Sequence, residues 1–128
     1  MKSGKYILKI LVTGGAGFIG SALIRELLKN TNYEVVNVDA LRYAGNLNSL
    51  PFAENSKNYC FELCDICDED QLKIIFKKYE PNVIFHLAAE SHVDRSILSP
   101  KQFIETNIMG TFNLLNLSLD LWNSRKSE

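Results

Sequence analysis

Gly14, Gly17 and Gly20 stand three residues apart in the run Ile10-Leu-Val-Thr-Gly-Gly-Ala-Gly-Phe-Ile-Gly20, between an apolar segment and an amphipathic one. Residues without a Cβ at that spacing let the backbone turn tightly and let a pyrophosphate approach the amides. A helix beginning near Phe18 would aim its unpaired N–H groups and its dipole at that negative charge. Glycines also mark ordinary turns, so the reading needs a second element at the right distance. Asp39 supplies it, about twenty residues beyond Gly20, closing the run Glu34-Val-Val-Asn-Val-Asp39. A carboxylate there accepts hydrogen bonds from the adenosine ribose hydroxyls and repels a 2′-phosphate, which favours NAD over NADP. Arg42, three residues later, partly offsets that preference.

Two other clusters carry chemistry-bearing side chains. Cys60, Cys64 and Cys67 form C-x3-C-x2-C, a spacing that could hold an iron–sulfur cluster. Cys60 falls in the strand-like run Tyr59–Leu63 rather than in a loop, and free cysteines behave by default as small apolar side chains. Glu90, His92 and Asp94 alternate like half of a two-histidine, one-carboxylate iron site. The other histidine, His86, is expected inside a strand, so a full ligand set is missing. We expect no metal, an Asp94–Arg95 ion pair, and His92 orienting the loop.

The chain that must position these groups has 128 residues, 46% hydrophobic and 23% charged, enough for one globular domain with a real core. A net charge of −1 gives no basis for a nucleic-acid partner or an acidic membrane surface. Lys9 interrupts the apolar run Tyr6–Val12, so it is not a signal-peptide core, and no run reaches the roughly 20 apolar residues that span a bilayer. A cytoplasmic location is the expectation.

Apolar patterning places strands at Ile7–Val12, Glu34–Val38, Tyr59–Leu63 and Val83–Leu87. A first helix is expected over Phe18–Lys29, with Ile19, Ala22, Leu23, Leu27 and Leu28 toward the sheet. Residues 40–58 read as a long irregular connection holding a short helix. Asp68 and Gln71 fit a capping box ahead of a helix that buries Leu72, Ile75, Phe76 and Tyr79 and stops at Pro81. Ser99-Pro100 opens a last helix with two apolar stripes: Ile104, Ile108, Phe112, Leu115, Leu119 and Trp122 on one, Phe103, Leu114, Leu117 and Leu121 on the other. One stripe can cover the sheet. The other is either plain core or needs a neighbour, as in a homodimer through this helix. The element order implies an α/β, Rossmann-type doubly wound parallel sheet of about four strands, ordered 3-2-1-4.

Five segments carry a family resemblance: Thr13-Gly-Gly-Ala-Gly-Phe-Ile-Gly-Ser21, Val38-Asp-Ala-Leu-Arg-Tyr-Ala-Gly-Asn46, Asp65-Ile66, His86-Leu-Ala-Ala-Glu-Ser-His-Val-Asp-Arg-Ser96 and Phe103-Ile-Glu-Thr-Asn-Ile-Met-Gly-Thr111. Together they resemble the extended short-chain dehydrogenase/reductases, and within them the dTDP-glucose 4,6-dehydratase branch. The resemblance implies NAD as cofactor, with its pyrophosphate on the Phe18 and Ile19 amides. Asp39 would take the ribose, with Ala40, Leu41 and Arg42 lining that end, and Asp65 and Ile66 would flank the adenine. Leu87, Ala88, Ala89, Glu90 and Ser91 would run under the dinucleotide with Thr106 behind them, and Ser91 would also meet the sugar nucleotide, dTDP-glucose. The family works through a Tyr-x-x-x-Lys pair and a Thr-Asp-Glu segment, and neither occurs in these residues; Tyr43 and Tyr79 have no lysine four positions on. Residues 1–128 are therefore expected to be the N-terminal, NAD-binding part, with the catalytic residues and substrate domain outside them. The alternatives are another NAD-dependent sugar-nucleotide epimerase or dehydratase, and a non-catalytic dinucleotide-binding module.

Overall fold

The computed structural model describes residues 7–126 apart from 44, 52 and 54. Ala44 of the Tyr43–Asn46 segment and Tyr6 of the first apolar run thus lie outside the described residues. Four parallel strands form one sheet in the order β3-β2-β1-β4: β1 (Lys9–Thr13), β2 (Glu34–Asp39), β3 (Tyr59–Leu63) and β4 (Val83–His86). β1 begins two residues later than its apolar run suggested, because pairing starts where Lys9 meets Glu34.

Alternation along the central strands splits the core in two, since successive side chains leave opposite faces. Ile10, Val12 and Val35 pack with Ile24 of α1 (Phe18–Asn30), while Leu11, Val36 and Val38 pack with Leu72, Ile75 and Phe76 of α2 (Glu69–Tyr79) and with Leu114 and Leu117. Both sheet faces are thereby covered, as an all-parallel sheet requires. The doubly wound expectation holds. In α1, however, Ile19 and Ala22 face solvent and Ile24 takes the buried position. The helix is rotated because Gly20 and Ser21, not Ile19, sit against the glycine loop.

Asp68 caps α2 by accepting from the Gln71 N–H at 3.0 Å. The reciprocal half of the expected box is absent: the Gln71 amide donates to the Leu63 carbonyl at the end of β3, and the Asp68 N–H goes to the Asp65 carbonyl. Glu69 and Asp70 in the first turn and Lys77 and Lys78 in the last complement the helix dipole. Glu80 then turns left-handed at φ 47° ahead of Pro81, which cannot continue the helix.

After β4 the chain forms α3 (Val93–Leu98), which the sequence reading missed because it has no buried face to give it a period. Then α4 (Pro100–Ile104), a π-helical turn at Glu105–Gly110 and α5 (Thr111–Lys126) run on as one helical segment. Of its two stripes, the Leu114, Leu117 and Leu121 side covers the sheet. Ile104, Ile108, Phe112, Leu115, Leu119 and Trp122 are each more than half exposed, so both stripes are not core.

Candidate functional site

The carboxyl ends of the strands open into a cleft of about 300 Å³. Its first wall is the glycine loop. Gly14 takes φ +69°, and a Cβ there would stand 2.6 Å from the Leu87 and Ala88 backbone, so only glycine lets β1 and β4 end this close together. A Cβ at Gly20 would come within 2.1 Å of the Gly14 carbonyl, whereas at Gly17 the nearest atom is 3.2 Å away. Gly14 and Gly20 thus build the turn, and Gly17, on the cleft wall, leaves room in front of it. Behind them lies Gly15, which the spacing argument did not single out although its doublet with Gly14 was the available signal. A Cβ on it would overlap the buried Asn37 amide at 2.1 Å.

Gly17 is also the N-cap of α1, with no side-chain cap and no acidic residue in the first turn. α2, by contrast, carries both. The bare mouth of α1 therefore presents amides and positive partial charge that nothing in its own first turn neutralises. Phe18 and Ile19 are exposed and do not line the cleft, which meets the start of α1 at Gly17.

Asp39 ends β2 beside the glycine loop, 9% exposed. One carboxylate oxygen accepts from the Ala16 N–H at 3.0 Å and the other from the Leu41 N–H at 2.8 Å. A carboxylate has about four acceptor positions, so two remain for a ligand. Ala40 and Arg42 line the same wall, while Leu41 itself turns at φ +49° and stays off the cleft. Asp65 and Ile66 follow from the end of β3, and Leu87 to Ser91 from the end of β4. Thr106 completes the lining from the π-turn. Of the residues expected to form the site, Phe18, Ile19, Gly20 and Leu41 alone do not face the cleft.

The β4 loop is held by groups the sequence did not reveal. Asn107 donates to the Glu90 carbonyl at 2.9 Å and accepts from the Glu90 N–H at 2.8 Å. Behind it runs a chain of hydroxyls and imidazole. Thr111 Oγ1 donates to the Asn107 carbonyl at 2.7 Å, so it accepts from His86 Nε2 at 2.9 Å; His86 Nδ1 in turn accepts from Thr13 Oγ1 at 2.7 Å. Burial lowers the His86 pKa, which suits this neutral form.

The expected Asp94–Arg95 ion pair does not form. Arg95 instead lies over the Tyr43 ring at 5.3 Å, and His92 meets the same ring edge-on at 5.6 Å. All three line the cleft, brought together by topology across some fifty residues of chain. The cysteines part company: Cys60 contacts the Tyr79 hydroxyl, Cys64 the Asp65 carbonyl and Cys67 the Glu105 carbonyl. Burial, with Asp68 and Asp65 nearby, pushes the Cys64 thiol up to about 12, so it stays protonated. Among the described residues no group of His, Cys, Asp and Glu is arranged to hold a metal ion.

The family model described as GDP-mannose 4,6 dehydratase matches residues 11–128. The chain belongs to that family. A dTDP-glucose 4,6-dehydratase of Neisseria meningitidis serogroup B is 57% identical over 120 residues, which is 94% of this chain and 34% of that protein. The dTDP-glucose 4,6-dehydratase of Streptomyces venezuelae, crystallised with NAD bound, superposes with a TM-score of 0.82 at 41% identity, over 89% of this chain and 36% of the other. The UDP-glucose 4-epimerase of Thermotoga maritima with UDP-glucose gives a TM-score of 0.80 at 38% identity, over 89% and 35%. This family member spans about a third of the length of the curated relatives it matches.

Proposed function

We propose that residues 1–128 are the NAD-binding part of a dTDP-glucose 4,6-dehydratase, which converts dTDP-glucose to dTDP-4-keto-6-deoxyglucose in the cytoplasm. The observation that carries the reading is the uncapped mouth of α1 and the Asp39 carboxylate facing one cleft. In this reading the Phe18 and Ile19 amides hold the pyrophosphate and Gly17 makes room for it. Asp39 offers its free acceptor positions to the adenosine ribose, and Asp65 and Ile66 flank the adenine. Leu87 to Ser91, fixed by the Asn107 clamp, run beneath the nicotinamide half, with Thr106 behind and Ser91 also meeting the sugar nucleotide.

When bound, the cofactor supplies hydride acceptance and return. This chain contributes binding and orientation, and the acid–base residues of the resembled family are not among its 128 residues. Calorimetric titration should therefore give a stoichiometric NAD isotherm, with Asp39→Ala weakening it by about tenfold or more, while dTDP-glucose and NAD yield no 4-keto sugar. Turnover by these residues alone, or no NAD binding, would refute the proposal. The epimerase match gives the second reading, a sugar-nucleotide epimerase. Product analysis on the intact enzyme separates the two, since an epimer retains the water that a dehydratase expels. The exposed stripe of the last helix supports a homodimer through that face.

A further inference from the structure

Arg42 stands where it ought to weaken the preference for NAD. An arginine close behind the ribose-binding carboxylate is the group that accommodates a 2′-phosphate in NADP enzymes, and Arg42 lines the cleft on the wall of Asp39. Its guanidinium, however, is already engaged. One terminal nitrogen bonds the Asp65 carboxylate, and the other lies 3.8 Å from Glu90 Oε1. The two acids come from the ends of different strands, β3 and β4, so Arg42 reaches across the cleft mouth from β2 to meet both.

The backbone is shaped for that reach. Leu41 takes φ +49°, a left-handed conformation unfavourable for a leucine, and its N–H is pinned to Asp39. Gly45 closes the same turn, where a Cβ would meet Asp39 Oδ1 and Leu41 Cα at 2.9 Å. Glu90 has reason to keep its partner: its side chain is only 11% exposed, and besides Arg42 it has the Gln102 amide at 3.3 Å. A carboxylate taken that far from water is costly without a cation near it. Three carboxylates, on Asp39, Asp65 and Glu90, thus face the cleft against Arg42 and Arg95.

We propose that Arg42 is a specificity-determining residue held in check: Asp65 and Glu90 occupy its guanidinium, so the cleft accepts a dinucleotide with a free 2′-hydroxyl and rejects one with a 2′-phosphate. This rests on the dinucleotide reading above. An arginine can serve a phosphate bidentately only by releasing the acids it already holds. Removing those two charges, and not Arg42, is what turns the site toward NADP.

The test is calorimetric titration of NAD and NADP into the chain and three variants: Arg42→Ala, Asp65→Asn with Glu90→Gln, and the triple combination. The Asp65→Asn side chain keeps an oxygen able to accept the Cys67 N–H, as the carboxylate does, and the urea unfolding midpoint reports on folding in every variant. The chain itself should bind NAD at least about tenfold more tightly than NADP. Freeing Arg42 by the two amide substitutions should shrink that ratio about tenfold, adding Arg42→Ala should restore it, and Arg42→Ala alone should leave it within about twofold. If Arg42→Ala alone widens the gap, Arg42 already serves the phosphate. If the triple variant stays relaxed, the acids act through bulk charge. Either result overturns the lock. No NAD binding by the chain overturns the dinucleotide reading and the lock with it, whereas NAD binding with an unchanged ratio overturns only the role of Arg42.

Discussion

Three groups share the Thr13 hydroxyl: it donates to His86 Nδ1 and accepts from the Leu87 and Ala88 N–H groups at 3.2 and 3.3 Å. That one side chain keeps the end of β4 beside the glycine loop, and Gly14 makes the approach possible. Gly14→Ala meets two obstacles at once, a left-handed φ and backbone atoms at 2.6 Å that have no rotamer to give way. We expect it to destabilise the chain by at least about 2 kcal/mol in urea unfolding, and to abolish NAD binding where the fold survives. Gly17→Ala, with a single contact at 3.2 Å, should cost far less stability; equal losses for the two would show that the turn does not depend on Gly14. Glycine and aspartate at these places were legible in the sequence because the constraint on each is local: a sign of φ, or a charge at a strand end. Asn107, Tyr43 and Arg95 were not, since generic polar types acquire meaning only from distant partners.

Elements were legible wherever one face is buried by a clean period, as in α2, which buries Leu72, Ile75 and Phe76. They were less so where a special turn resets the phase. Ile19 was placed inward by counting from a regular helix start, yet the loop turns that residue outward. The π-turn left no sequence signal but has a consequence: Gly110 packs on Ile66, where a Cβ would lie 2.5 Å from the Ile66 side chain, and Asn107 and Thr111 bond Glu90 and His86 at the β4 end. His86 ties that turn to β1 as a neutral imidazole, and its pKa is held low by burial. The unfolded chain therefore takes up a proton that the folded one resists, so this contribution is intact above about pH 6.5 and is lost as pH falls through the folded value. The urea midpoint should drop between about pH 7 and pH 5.5, and His86→Gln, which keeps an acceptor and a donor, should flatten that drop. Identical pH profiles for the two would show that the imidazole is not the titrating group.

At the scale of the whole molecule, two of the open surfaces bear on assembly. One is a free sheet edge, that of β4, beside a hollow of about 380 Å³ between β4 and α5. The other is the outer stripe from Ile104 to Trp122, whose six apolar residues are each more than half exposed. Contiguous apolar surface of this extent marks an interaction site more often than a bare monomer face. The stripe is helical and regular, and ridges spaced in this way pack well against a second copy of themselves across a two-fold axis. A strand edge associates differently, by backbone pairing that charge on the outward face of the helix would not disturb. Light scattering should give twice the chain mass, and Phe112→Glu with Leu119→Glu should halve it, because burying two unpaired carboxylates in that contact costs more than it gains. NAD binding should persist in the double variant, since neither residue borders the cleft or the hollow beside β4. A dimer that survives both charges would place the contact away from this stripe, at a free sheet edge, and leave the helix face as wetted surface.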